Sequence, residues 1–126
     1  MSFIEKYNIN KKWAESAYNE QAFDVATNRY YYCIFQKLLL QLDGITIVKE
    51  KDEGTHEATA RTYVEKVINV KQGKPINIMR ERIEFNGNFS KLKGYRHSAD
   101  YKEAKLTQND AREMKAAFKV LDRLIP

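Results

Sequence analysis

The stretch from Ala22 to Leu42 contains neither glycine nor proline, and its apolar residues recur at helical spacing over its whole length. Val25, Ala26, Arg29, Tyr32, Cys33, Phe35, Leu38, Leu39 and Leu42 make a face too wide for a single contact. A helix with that much apolar circumference has to be surrounded, so it predicts a central element packed on several sides. Gly44 ends it. The other glycines, Gly54, Gly73, Gly87 and Gly94, also fall between periodic segments, and Pro75 is the one proline before the last residue. This is the punctuation of a helical protein.

The remaining segments fit that frame. Lys11 to Glu20 predicts a first helix with Trp13, Ala14, Ala17 and Tyr18 on its apolar stripe. Ile45 to Val48 is β-prone, but a lone short strand has nothing to pair with, so it reads as an ordered connector. Lys49 to Gly54 is a solvated loop. Thr55 is expected to cap a helix running to about Asn69, with Ala60, Tyr63, Val64, Val67 and Ile68 inward. After the turn Gly73-Lys74-Pro75, Ile76 to Phe85 reads as helix. Asn86-Gly87, a dipeptide that also serves hairpins, separates it from a further helix that starts at Asn88 or Ser90 and carries Leu92, Tyr95, Arg96 and Ala99. Thr107-Gln108-Asn109-Asp110 is a capping box with Asp in place of Glu, followed by Ala111, Met114, Ala117, Phe118, Leu121 and Leu124 at the helical period. The expectation is an all-α, mainly antiparallel bundle of four to six helices, forming one domain over residues 1–126.

Charge and cysteine content narrow the chemistry. The 22 Lys and Arg against 17 Asp and Glu give +5, which permits nucleic-acid binding without demanding it. The densest basic group is Lys91, Lys93, Arg96, His97 and Lys102. One cysteine, Cys33, rules out an internal disulfide framework and a Cys-based zinc site, and within an apolar helix it reads as an inert core thiol. His56 and His97 are far apart with no third ligand in view, so neither a metal nor a cofactor is expected. Glu5 and Lys6 follow Met1-Ser2-Phe3-Ile4 at once, which is no signal peptide. No apolar run spans a membrane, and the chain reads as cytoplasmic.

Two motifs carry the functional question. In Tyr95-Arg96-His97-Ser98-Ala99-Asp100-Tyr101, Arg96 and Asp100 are four apart and share a helical face, so Asp100 is expected to hold Arg96 by a charge-assisted hydrogen bond. In Asn28-Arg29-Tyr30-Tyr31-Tyr32-Cys33 a second arginine sits among aromatics. Half-buried arginines cost desolvation unless an anion meets them. That anion is internal, Asp24 or Asp100, or it is a ligand, for which phosphate is the obvious chemistry. Three successive tyrosines cover most of a helix circumference, so at least one should face solvent or a ligand, where it could stack on a base. His56 at a helix start has a bland reading as a local hydrogen-bonding residue and a sharper one as an acid or base; His97 reads as solvated surface.

The ordered pattern Ala26-x-x-Arg29-x-Tyr31-Tyr32-Cys33-x-Phe35, then Thr55-His56, then Arg96-x-x-Ala99-Asp100-Tyr101, then Thr107 opening the last helix, resembles the HEPN domain family. It is most similar to small stand-alone members with Arg-x-Tyr-Tyr and Arg-x-x-Ala-Asp-Tyr motifs, over about Asn19 to Leu124. The resemblance implies a bundle of about five helices, a homodimer, and a role beside nucleotidyltransferase-type partners in toxin–antitoxin or phage-defence systems. It implies RNA as substrate or ligand, since many members are metal-independent ribonucleases with an Arg, roughly four to six residues, then a His. Here Tyr101 stands where that histidine would first fall, and His97 directly adjoins Arg96. His56 can replace it only if the fold brings it to Arg96. On this reading Arg96 and His56 are the catalytic candidates, while Arg29, Tyr31, Tyr32, Asp100 and Tyr101 bind, position or form a structural network. A non-catalytic module that binds a nucleotide or a nucleotidyltransferase partner is the alternative.

Overall fold

The computed structural model describes all 126 residues and contains five α-helices and no strand. Helix α1 (Phe3–Asn19) turns through Glu20–Ala22 into α2 (Phe23–Gln41), which returns antiparallel along it. A long connector leads to α3 (Thr55–Tyr63), which continues as a π-helical segment, Val64–Ile68. Helix α4 (Pro75–Tyr101) and helix α5 (Gln108–Leu124) complete the chain.

Helix α2 touches each of the other four helices, as its wide apolar face requires. Ala26, Tyr30, Tyr31, Cys33, Ile34 and Leu38 are buried along it, at the centre of one core to which every helix contributes. Alanines Ala14, Ala17 and Ala26 let α1 and α2 approach closely. Two of the three consecutive tyrosines are core, and Tyr32 alone is partly open. Val25 and Trp13, expected inward, are each 53% exposed, because α1 and α2 meet on their alanine faces instead.

Three boundaries differ from expectation. Helix α1 begins at Phe3 rather than Lys11, since Ser2 accepts the Glu5 N–H (3.1 Å) and Glu5 sits in the positive first turn. Gly54, not Thr55, is the N-cap of α3. The expected break at Asn86-Gly87 is absent, and α4 is one helix of 27 residues. Phe85, Phe89 and Leu92 bury at helical spacing across that point. Their burial outweighs the roughly 1 kcal/mol that each of Gly87 and Gly94 costs relative to Ala. A hairpin would need alternating strands on both sides, which the sequence lacks.

The expected capping box opens α5. Thr107 Oγ1 accepts the Asp110 N–H and Asp110 Oδ2 accepts the Thr107 N–H, both at 3.1 Å. Arg61 of α3 reaches back to the connector and grips Glu53 with two hydrogen bonds of 2.9 Å, while donating to the Val48 carbonyl at 2.6 Å. That clip fixes the chain just ahead of His56 and holds the Glu53 carboxyl down to about 2. No helix is long and apolar enough to cross a membrane.

Candidate functional site

His56 stands in the first turn of α3, and α2 presents Tyr31, Tyr32 and Phe35 to it. Tyr31 and Phe35 are four apart and so lie on one stripe of α2. The Tyr31 hydroxyl is 2.8 Å from His56 Nδ1. The Phe35 ring packs on the imidazole at 4.3 Å and the Tyr32 ring meets it edge-on at 6.1 Å. From α4, the Arg96 guanidinium lies over the Tyr31 and Tyr32 rings, at 5.1 and 5.9 Å from their centres. Residues 56 and 96, forty positions apart, thus converge on one pair of tyrosines.

Arg96 Nε is 3.0 Å from Asp100 Oδ2, but its N–H does not point along that line and has no other partner. The contact is an ion pair rather than the expected hydrogen bond. With 19% of the Arg96 side chain and 25% of the Asp100 side chain exposed, it is neither solvated nor closed off. Asp100 also accepts from Asn28 Nδ2 at 3.3 Å. Lys93, one helical turn before Arg96, pairs with Glu57 at 2.7 Å. An open groove bounded by Gly54, Thr55, His56, Glu57 and Lys93 gives access to the imidazole.

The electrostatics favour a neutral imidazole. Burial lowers the His56 pKa below its ordinary value, and the Arg96 and Lys93 cations lower it further. Burial raises the Tyr31 phenol, which stays protonated at neutral pH. A neutral imidazole carries one N–H and one lone pair. If Nδ1–H donates to the Tyr31 oxygen, Nε2 is left as a free base; if the phenol donates to Nδ1, Nε2 carries the hydrogen.

The other candidates lie elsewhere. Arg29 turns to α1, where it covers the Trp13 ring at 5.1 Å and donates to Asn10 Oδ1 at 3.3 Å. Neither Asp24 nor Asp100 pairs with it: Asp24 accepts the Leu106 N–H and so pins the α4–α5 connection. Tyr101 is 69% exposed and its ring packs on His97, so the fold does not bring it to His56. No cluster of acidic, histidine and cysteine side chains suits a metal ion. In the sequence Phe35 stands out only as an apolar and pattern position and Lys93 only as part of the basic group, while Glu57 does not stand out at all. The spacing of Phe35 from Tyr31 and of Lys93 from Arg96 held the signal, but only once α3 is known to lie between α2 and α4. Comparisons with protein-family models, curated proteins and solved structures find no match to this chain.

Proposed function

We propose that this chain is a HEPN-type protein that binds single-stranded RNA at Tyr31, His56 and Arg96 and cleaves it without a metal. The observation that carries this reading is the convergence of His56 and Arg96 on Tyr31. It supplies the base that the family's Arg…His spacing leaves missing. In the reaction, the 2′-oxygen attacks the adjacent phosphorus and the bond to the 5′-oxygen breaks. His56 takes the 2′-hydroxyl proton at Nε2, with Nδ1–H donating to Tyr31. The Arg96 guanidinium, held over the Tyr31 and Tyr32 rings, meets the charge that develops on the phosphate oxygens, and Lys93 on the groove rim adds a second cation once the phosphate displaces Glu57. The 5′-oxygen leaves as a hydroxyl by taking a proton from the imidazolium or from water. The other product end is a 2′,3′-cyclic phosphate.

The same proposal assigns the protein to a cytoplasmic toxin–antitoxin or phage-defence setting. A second copy of the chain would dock on the exposed Ile76, Met79 and Ile83 of α4. One observation favours the non-catalytic alternative: Arg96 and Lys93 already carry Asp100 and Glu57. A site with its cations matched internally is suited to holding a nucleotide or a nucleotidyltransferase partner without reaction.

The experiment is incubation of purified protein with single-stranded RNA in EDTA, beside Arg96→Ala and His56→Ala. The reading expects cleavage to 2′,3′-cyclic ends that both substitutions abolish. Binding without cleavage selects the non-catalytic alternative, and no binding at low salt overturns the RNA reading.

A further inference from the structure

The π-helical segment after α3 and the middle of α4 enclose a second concavity, a groove of about 450 Å³. Its floor is apolar and buried, made by Ala60, Val64 and Phe89. Its walls carry the neutral side chains Asn69, Asn86 and Ser90, all exposed. Arg82 donates to Asn69 Oδ1 at 2.9 Å, Asn88 to the Glu84 carbonyl at 2.8 Å and Lys93 to Glu57, whereas the Asn86 and Ser90 side chains make no intramolecular hydrogen bond and are open to a ligand.

The charges at the rim are matched: Glu57 with Lys93 at 2.7 Å, and Arg61 with Glu65 at 3.3 Å. A free ion therefore has little to gain there. What fits is a flat apolar body with amide-like donors and acceptors at its edge, because a carboxamide offers both and an aromatic floor favours a ring. The groove also adjoins the His56 site. Lys93 and Glu57 border both openings, and the Phe89 ring in the floor lies 5.9 Å from the Tyr31 ring that holds His56 and Arg96.

We propose that this groove seats an unpaired nucleobase of the strand whose phosphate lies at His56 and Arg96. The inference rests on the phosphate reading of that site and adds a base pocket between α4 and the π segment. Asn86 and Ser90 read the base edge, Phe89 and Val64 take its face, and Lys93 marks the step from base to phosphate.

The test separates base from phosphate by using each alone. Free nucleosides and ribose 5-phosphate are titrated into the full chain while backbone amide signals are followed by NMR. Nucleosides are expected to move Asn69, Asn86 and Ser90, in the wild type and in Arg96→Ala alike. Ribose 5-phosphate should move His56 and Lys93 instead. Ser90→Trp, at an exposed helical position, fills the groove and should weaken nucleoside binding by roughly tenfold or more, the loss of a base-stacking contact, while leaving the ribose 5-phosphate response intact. Groove amides unmoved by any nucleoside at millimolar concentration, with His56 still answering ribose 5-phosphate, overturn the base seat alone. Silence toward both probes overturns the phosphate reading with it. An equal nucleoside response in Ser90→Trp also overturns the groove as the seat.

Discussion

Two polar networks flank α2, and they differ in how completely they are satisfied. At the α1–α5 side, the Tyr7 hydroxyl donates to Asp122 Oδ1 at 2.6 Å, and Lys37 bonds the same oxygen at 2.8 Å. Lys37 also donates to the Asp122 and Ile125 carbonyls at 2.8 and 2.9 Å, closing the C-terminal end of α5. Every group there has a partner within the chain, so the network is a fastener. At the α3–α4 side, His56 makes a single hydrogen bond through one ring nitrogen, the Arg96 Nε–H has no in-line acceptor, and a groove opens onto both helices. Unused hydrogen-bonding capacity in half-buried polar groups costs stability. The imidazole keeps one ring nitrogen without a partner beside the groove, and that is what distinguishes this candidate site from the fastener.

Substitutions can break or sharpen that contrast. The largest stability effect is expected at the fastener. Lys37→Ala leaves Asp122 with only the more exposed Lys11 as its cation, at 3.8 Å, leaves the last carbonyls of α5 without their donor, and should destabilise by about 3 kcal/mol, read as a lower denaturation midpoint. Activity per folded molecule should not change. An unaltered midpoint would show that the closed network holds nothing together. At the open network the order reverses. Arg96→Ala should cut cleavage by about 100-fold and destabilise by about 1 kcal/mol, the worth of a partly exposed ion pair with its aromatic contacts.

The pH dependence follows from His56. As the proposed base it would act in the neutral form, and its folded pKa lies below the ordinary 6.5. The acid limb of kcat/KM, which reports the free protein, is therefore expected below pH 6.5. The sign for stability runs the same way: the unfolded chain takes the proton first, so this contribution is complete above 6.5 and is lost as pH falls through the folded value. A kcat/KM that falls already above pH 7 would assign the base elsewhere. The smallest effect is expected from Asp100→Ala, about 1 kcal/mol by equilibrium unfolding. A loss of about 4 kcal/mol would mean that Arg96 and Asp100 form a buried structural pair.

The sequence carried the fold well where one face of a helix decides it. The central role of α2, the α5 capping box and the strandless connector were all legible from period and cap chemistry. It failed at Asn86-Gly87, where local turn propensity was outweighed by the burial of Phe85, Phe89 and Leu92, a tertiary effect no local signal reports. The candidate site was legible in part. His56, Arg96 and the tyrosines are each conspicuous, but their meeting depends on how α3 packs between α2 and α4. Arg29 looked equivalent to Arg96 in sequence, since each sits among aromatics. Its position on α2 turns it toward α1 and Trp13 instead.

The central claim is that His56 and Arg96 serve one anion site, and the titration of the His56 ring tests it most directly. Imidazole signals followed by NMR against pH, with and without a non-cleavable single-stranded oligonucleotide, give its pKa in both states. The account predicts a value below 6.5 in the free protein that rises when the strand binds, because a phosphate beside the ring stabilises the imidazolium. It also predicts that Arg96→Ala raises the free value by removing a neighbouring cation. A His56 titration indifferent to both the strand and Arg96→Ala would contradict it.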